Sequence, residues 1–176
     1  MSRCAVFIDG GYLNKVLENE FARAAIDYGK LSEEVAQGTE RLRTYYYHCM
    51  PYQSNPPTEE EKRRYVAMAK FVDALKRLPR FEFRQGKLAK RDSGFEQKRV
   101  DIWIAVDLVR LSFSHQIAKA VLVTGDSDLV PAIESAKDAG VVVQLYFSRR
   151  SVHQELLQAC DERYEIGQAL IDRIRR

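Results

Sequence analysis

Two hydrophobic periods alternate along this chain. Cys4–Ile8 is an unbroken apolar run of strand length that ends in Asp9. From about Tyr12 to Ala25, Leu13, Val16, Leu17 and Phe21 recur at helical spacing, and Leu31–Ala36 predicts a short helix capped by Ser32. Leu42–Cys49, which holds Tyr45, Tyr46 and Tyr47, predicts a second strand, and Pro51–Pro57 has loop composition. Thr58 and Glu61 form a capping box for a helix to about Leu78, with Tyr65, Met68, Ala69, Val72 and Leu75 on one face and Pro79 as its stop. Phe81–Leu88 alternates like a third strand, and Lys90–Lys98 has loop composition. A helix over 98–113, a strand over 120–124, a helix over 128–139 ending at Gly140 and a strand over 141–147 follow. Two closing helices, Val152–Ala159 and Gly167–Ile174, complete the pattern. Strands alternating with helices predict an α/β fold, a parallel sheet with helices on both faces, in one domain over residues 1–176.

Acids sit where such a sheet binds ligands. The strand Ala120–Val123 runs into Thr124 and Gly125 and delivers Asp126 and Asp128, and the first strand delivers Asp9 before Gly10 and Gly11. In an open parallel sheet the carboxyl ends of strands form the ligand crevice. Carboxylates gathered there repel one another and attract a hard cation, Mg²⁺ or Mn²⁺. The plainer alternative is that each Asp only caps the helix after it. The helix Val100–Leu111 is apolar at nine of twelve positions, which predicts burial around most of its circumference. Its Asp101 and Asp107 lie about 120° apart around the axis. Asp101 is the one expected to face a metal. Asp107 reads either as a further ligand, through water, or as a structural partner of Arg110 or a backbone amide.

Charge changes the picture in one segment. The net charge is only +3, yet residues 41–100 hold 15 Lys and Arg against 7 Asp and Glu. A basic segment beside an acidic pocket suits a polyanion, although such a run also serves simply as a solvated face. Three widely spaced cysteines, Cys4, Cys49 and Cys160, form no metal or disulfide pattern, and no run is long enough to span a bilayer. The start lacks a signal-peptide core, so the chain reads as cytoplasmic. His48, His115 and His153 show no metal spacing. Ile166, Leu170 and Ile174 pack internally or offer a homodimer contact.

The blocks Phe7-Ile-Asp-Gly-Gly, Lys98-Arg-Val-Asp101 with Asp107 beyond, and Val123-Thr-Gly-Asp-Ser-Asp-Leu-Val-Pro-Ala-Ile133 resemble the NYN domain, and more narrowly its LabA-like branch within the PIN-like nucleases. The resemblance implies a three-layer α/β/α fold with a central parallel sheet in PIN-like order 3-2-1-4-5, which sets strands one and four side by side. It implies metal-dependent RNA cleavage, with Asp9, Asp101, Asp126 and Asp128 forming the pocket and Asp107 nearby. Lys98 matches the family's basic residue before the helix and would touch a phosphate. Tyr12 stands where many relatives carry Asn, with Asn14 two places on.

The resulting reading is a ribonuclease, an endonuclease by expectation, that cuts single-stranded RNA by metal-assisted in-line displacement. Lys87, Lys90, Arg91, Lys98 and Arg99 would line one rim of the substrate site and Arg149 and Arg150 the other, while Thr124 and Ser127 orient an oxygen or cap the turn. Tyr45–Tyr47 and Tyr12 offer rings for stacking or for the core. The rival reading is a catalytically weak or inactive regulator that binds RNA or protein with the same fold. Haloacid-dehalogenase-like phosphatases need Asp-x-Asp after the first strand, and Toprim domains need Glu there; this chain has Asp9-Gly-Gly. No GxGxxG follows Ile8, against a dinucleotide enzyme.

Overall fold

The computed structural model describes residues 1–176, the side chain of Gln97 excepted. Its centre is β1 (Arg3–Asp9), with Cys4–Ile8 all buried. β2 (Glu40–His48) pairs parallel on one side of it and β6 (Lys119–Val123) parallel on the other. β3 (Phe81–Gln85) extends the sheet beyond β2, and β7 (Val142–Phe147) and β8 (Glu162–Glu165) extend it beyond β6, all in parallel register. The order is β3-β2-β1-β6-β7-β8. Once the separate hairpin β4 (Lys87–Arg91) and β5 (Gly94–Lys98) is set aside, this is the expected 3-2-1-4-5 order with a sixth strand at one edge. The hairpin is antiparallel and stands outside the main sheet.

Alternate residues of each strand feed opposite cores, because successive side chains point to opposite faces. Phe7, Tyr45, Tyr47, Leu122 and Leu145 pack on one face with α4 (Val100–Phe113), α5 (Val130–Asp138) and α6 (Gln154–Ala159). Val6, Ile8, Tyr46, Val121 and Val123 pack on the other with α1 (Gly10–Glu20), α2 (Tyr28–Val35), α3 (Glu59–Arg77) and α7 (Gln168–Ile174). The result is a three-layer α/β/α fold. Among the described residues no helix is long and apolar enough to cross a membrane.

Several elements depart from the sequence pattern for visible reasons. α1 stops at Glu20 rather than Ala25, since Ala22 and Arg23 take φ of 50° and 57° and break the helical path. α2 begins three residues earlier than the apolar spacing suggested, capped by Asp27, whose side chain accepts from the Lys30 amide; Ser32 is buried mid-helix. The expected strand Phe81–Leu88 is cut at Gly86. A Cβ there would lie 2.7 Å from the Val100 side chain and 2.8 Å from the Lys98 carbonyl, so the backbones cross too closely for any other residue. Beyond the cut, the supposed loop 90–98 is the β4–β5 ribbon. β8 has no apolar alternation: all four of its residues are exposed and two are Glu, which is how an edge strand avoids pairing with strangers. α3 buries Val72 and Leu75, while Tyr65 is 36% exposed.

Burial corrects one further expectation and decides between alternatives in two others. α4 is not enclosed: Val100, Ile104, Asp107, Leu108, Leu111 and Ser112 form the buried stripe, while Ile102 is 61% and Val106 48% exposed. Tyr45, Tyr46 and Tyr47 are core residues with at most 3% exposure and offer no face to a nucleobase. Ile166, Leu170 and Ile174 are buried within the chain, so they are not a dimer contact.

Of the two readings of Asp107, the structure bears out the partner of Arg110 and gives no support to the metal ligand. Its carboxylate is buried beneath β2 and accepts from the Tyr47 hydroxyl at 2.9 Å, Arg84 Nε at 3.1 Å and Arg110 Nη2 at 3.1 Å. A buried carboxylate needs this many donors to offset its lost hydration. Asp107→Ala strands the buried Tyr47 hydroxyl. It is expected to lower stability to urea by about 1–3 kcal/mol and to leave Mn²⁺ affinity unchanged; loss of Mn²⁺ affinity would return Asp107 to the ligand set.

Candidate metal centre

The pairing of β1 with β6 places the two acidic strand ends together. Ile8 pairs with Val123, so Asp9 and the Thr124–Asp126 turn leave the sheet side by side. Asp9 caps α1, its Oδ1 accepting from the Tyr12 amide at 3.1 Å. Asp126 does the same for the 3₁₀ turn Ser127–Leu129, its Oδ1 accepting from the Asp128 amide at 2.9 Å. The capping alternative is therefore true of both residues and does not exhaust them, because one carboxylate oxygen caps while the other remains.

Asp101 enters from the first turn of α4. One carboxylate oxygen from each of Asp101, Asp126 and Asp128 falls in a group spanning no more than 4.8 Å. Among the described residues this is the one cluster of three metal-ligating side chains at such spacing. Asp101 and Asp126 are half-buried and Asp128 is exposed. Hard oxygen donors at this separation, with no cation among them in the protein itself, fit Mg²⁺ or Mn²⁺ and do not fit a soft metal.

Asp9 stands beside the trio. It lines the same cleft as Asp126, and its pKa is pushed up to about 6. Burial is the main cause and the Asp126 charge adds to it, against the Tyr12 amide and Lys15, which act in the other direction. The cleft, about 890 Å³, runs from these acids to the hairpin on one wall and to the segment Arg150–His153 on the other. Two glycines allow close packing around these strand ends, Gly10 behind Asp9 and Gly125 in the cleft wall. A Cβ on Gly10 would fall 2.4 Å from the Tyr46 ring, and one on Gly125 would fall 2.2 Å from the Ser151 carbonyl and 2.5 Å from the Tyr12 ring. Tyr12 is thus a strut. Its ring covers Gly125 and its hydroxyl accepts from the Ser148 amide at 2.8 Å, so the half-buried side chain braces that turn.

The expected substrate-binding residues divide. Arg150 lines the cleft, and Lys98 and Arg99 are exposed at the junction of β5 and α4, Arg99 with φ of 72°. Lys90 sits on the hairpin with its Nζ 5.6 Å from the Tyr52 ring centre. Arg91 is paired with Glu96 at 2.9 Å and Arg149 with Glu165 at 3.1 Å, so both are partly neutralised. Thr124 is buried, and its hydroxyl accepts from the Asp126 amide at 3.3 Å, a support of the turn rather than a ligand for an outside oxygen. Ser127 is half-buried in the 3₁₀ turn.

Sequence reasoning missed Lys15, Phe95 and His153, all of which line the cleft. Lys15 was accessible in principle, since it follows Gly11 and Tyr12 by one helical turn. His153 sits past the end of β7, where the strand-end rule should have flagged it with Arg150. Phe95 carried no signal, because its placement depends on a ribbon that the local pattern does not announce.

Comparison with known proteins agrees with this architecture. The NYN domain model matches residues 3–167. A protein of unknown function from Vibrio parahaemolyticus has a similar structure, with a TM-score of 0.67, 20% identity, and coverage of 95% of this chain and 94% of that one. At that identity the likeness speaks for the fold alone. A structure titled a putative oxidoreductase from Parabacteroides merdae aligns at a TM-score of 0.35 and 10% identity, covering 94% of this chain and 31% of that one, and bears on nothing further. No curated protein matches the sequence. A match over nearly the whole length, to a sheet of this order with acids at these strand ends, makes the chain a member of the NYN domain family.

Proposed function

We propose that this protein is a metal-dependent ribonuclease of the LabA-like branch, acting in the cytoplasm on single-stranded RNA. NYN domains are generally nucleases, and PIN-like nucleases usually use divalent metals. The observation that carries the proposal is the trio Asp101, Asp126 and Asp128, contributed by two separate segments and gathered within 4.8 Å at the carboxyl end of a parallel sheet. Three like charges held so close are costly unless a cation joins them. The three cysteines are buried and unpaired, which suits a reducing compartment.

Each group then has a task. Asp101, Asp126 and Asp128 would hold the ion, and Asp9 would complete the pocket from the β1 side. A bound Mg²⁺ or Mn²⁺ would supply the Lewis acidity that makes water nucleophilic at neutral pH and steadies charge on the phosphoryl oxygens. Lys15 and Arg150, on the cleft wall, would draw the RNA phosphates in and orient them. The Gly125 turn, clamped between Tyr12 and the Ser151 carbonyl, fixes where Asp126 points, so the pocket is pre-shaped before substrate arrives.

Asp126→Asn is expected to reduce Mn²⁺-dependent cleavage of labelled single-stranded RNA by about 100-fold or more, since even outer-sphere partners of a metal are worth about 10–100-fold, with the thermal unfolding profile retained. Unimpaired cleavage by that variant would remove the enzymatic reading. RNA binding by the wild type without cleavage in Mn²⁺ would favour the regulator instead.

The Asp9 carboxyl sets a pH dependence. Its pKa of about 6 lies above the ordinary carboxylate value, so a proton occupies it below that pH and opposes the cation, and the charge is complete only above it. Mn²⁺ titrated calorimetrically should bind more tightly at pH 7.5 than at pH 5.5, and Asp9→Asn should flatten the difference. Equal affinity at the two pH values in the wild type would take Asp9 out of the pocket.

A further inference from the structure

The β4–β5 hairpin carries an aromatic ring that is both open to solvent and part of the acidic cleft. Phe95 is 55% exposed, yet it lines the same space as Asp9 and Asp126. Its surroundings are built. In the ribbon's register Phe95 lies opposite Lys90, and directly paired residues share a face, as do residues two apart on one strand. Leu88, Lys90 and Phe95 therefore project together. Leu88 packs onto the main core and anchors that face at its base. Tyr52, from the loop after β2, braces Phe95 with ring centres 5.0 Å apart and planes tilted by 36°, and the Lys90 ammonium lies 5.6 Å from the Tyr52 ring.

An exposed phenyl ring is normally unremarked. This one is held in place from behind, has a cation on its own face, and looks into a cleft with Lys15 and Arg150 on its other walls. An apolar protein side chain would not use those cations. A nucleotide would, because it joins a flat π surface to a phosphate. We propose that the hairpin is a nucleobase-stacking arm: Phe95, backed by Tyr52, receives one unpaired base of the RNA, and Lys90 takes a neighbouring phosphate. This rests on the reading of the cleft as a nucleic-acid site and adds how the strand is chosen. A base inside a duplex cannot leave its partner to reach Phe95 without the cost of unstacking, so the arm selects single strands.

The experiment measures binding by fluorescence anisotropy in EDTA, where no cleavage occurs, with wild type, Phe95→Ala and Phe95→Trp. Three probes are used: a labelled single-stranded oligouridylate, a blunt RNA duplex of the same length, and an oligomer of tetrahydrofuran phosphates, which has the charges and no bases. Stacking is worth about 1–3 kcal/mol per base, so Phe95→Ala should weaken oligouridylate binding by about 5- to 150-fold, while Phe95→Trp restores it. The loss should be confined to the probe with unpaired bases, with the base-free and duplex probes bound as by the wild type. Undiminished oligouridylate binding by Phe95→Ala, or an equal loss on the base-free oligomer, overturns the arm while leaving the nuclease reading in place. A base-dependent loss in a protein that never cleaves RNA in Mn²⁺ supports the arm and refutes the nuclease. Wild type that binds none of the probes refutes the arm, and the nuclease reading is then decided separately by cleavage of the oligouridylate in Mn²⁺.

Discussion

Mutual repulsion among carboxylates is the constraint around which this fold is arranged. Asp101, Asp126 and Asp128 bring oxygens within 4.8 Å of one another, with Asp9 beside them at a pKa raised by burial and by the Asp126 charge. Left alone, such groups would move apart. They stay together because the backbone gives them no alternative. Asp9 and Asp126 are fixed by capping duties at the ends of adjacent strands, and the turn that carries Asp126 is wedged between Tyr12 and Ser151. Capping engages one carboxylate oxygen of Asp9 and of Asp126 and leaves the other for the cation of the proposed site.

The sheet order follows from the same requirement. β1 and β6 must be neighbours, and the crossovers that make them so leave α4 free to present Asp101 from its first turn, where the helix dipole tolerates an anion. Asp107, one and a half turns on, faces away and is fully engaged by Tyr47, Arg84 and Arg110. The two acids of one helix thus divide the labour: the exposed-side one is available to a cation, and the buried one ties α4 to β2 and β3. The hairpin inserted just before α4 closes the cleft opposite Lys15 and Arg150, so the elements that carry basic and aromatic groups flank the acids without neutralising them.

Much of this was legible in the sequence, and the failures are physically coherent. Strand ends followed by Asp and Gly pointed to this end of the sheet, because buried parallel strands read as unbroken apolar runs and their carboxyl ends bind ligands; of the four acids expected there, Asp101, Asp126 and Asp128 form the cluster and Asp9 lines the cleft beside it. The Thr58–Glu61 capping box placed the start of α3, where both reciprocal bonds are present. Features that rest on non-local contacts were not legible. The Gly86 break follows from a crossing with Val100 and Lys98, the β8 edge strand is polar throughout, and the hairpin pairs Lys with Lys and Lys with Phe rather than showing an alternating pattern. Tyr45, Tyr46 and Tyr47 looked like stacking residues only because local composition cannot distinguish a buried ring from an exposed one.

The most direct measurement is crystallographic: crystals of the protein soaked in Mn²⁺, with an anomalous difference map collected at the manganese edge. The expected result is a peak enclosed by carboxylate oxygens of Asp101, Asp126 and Asp128, on the side facing Asp9. A map with no peak at that position, or with manganese bound only elsewhere on the surface, would contradict it.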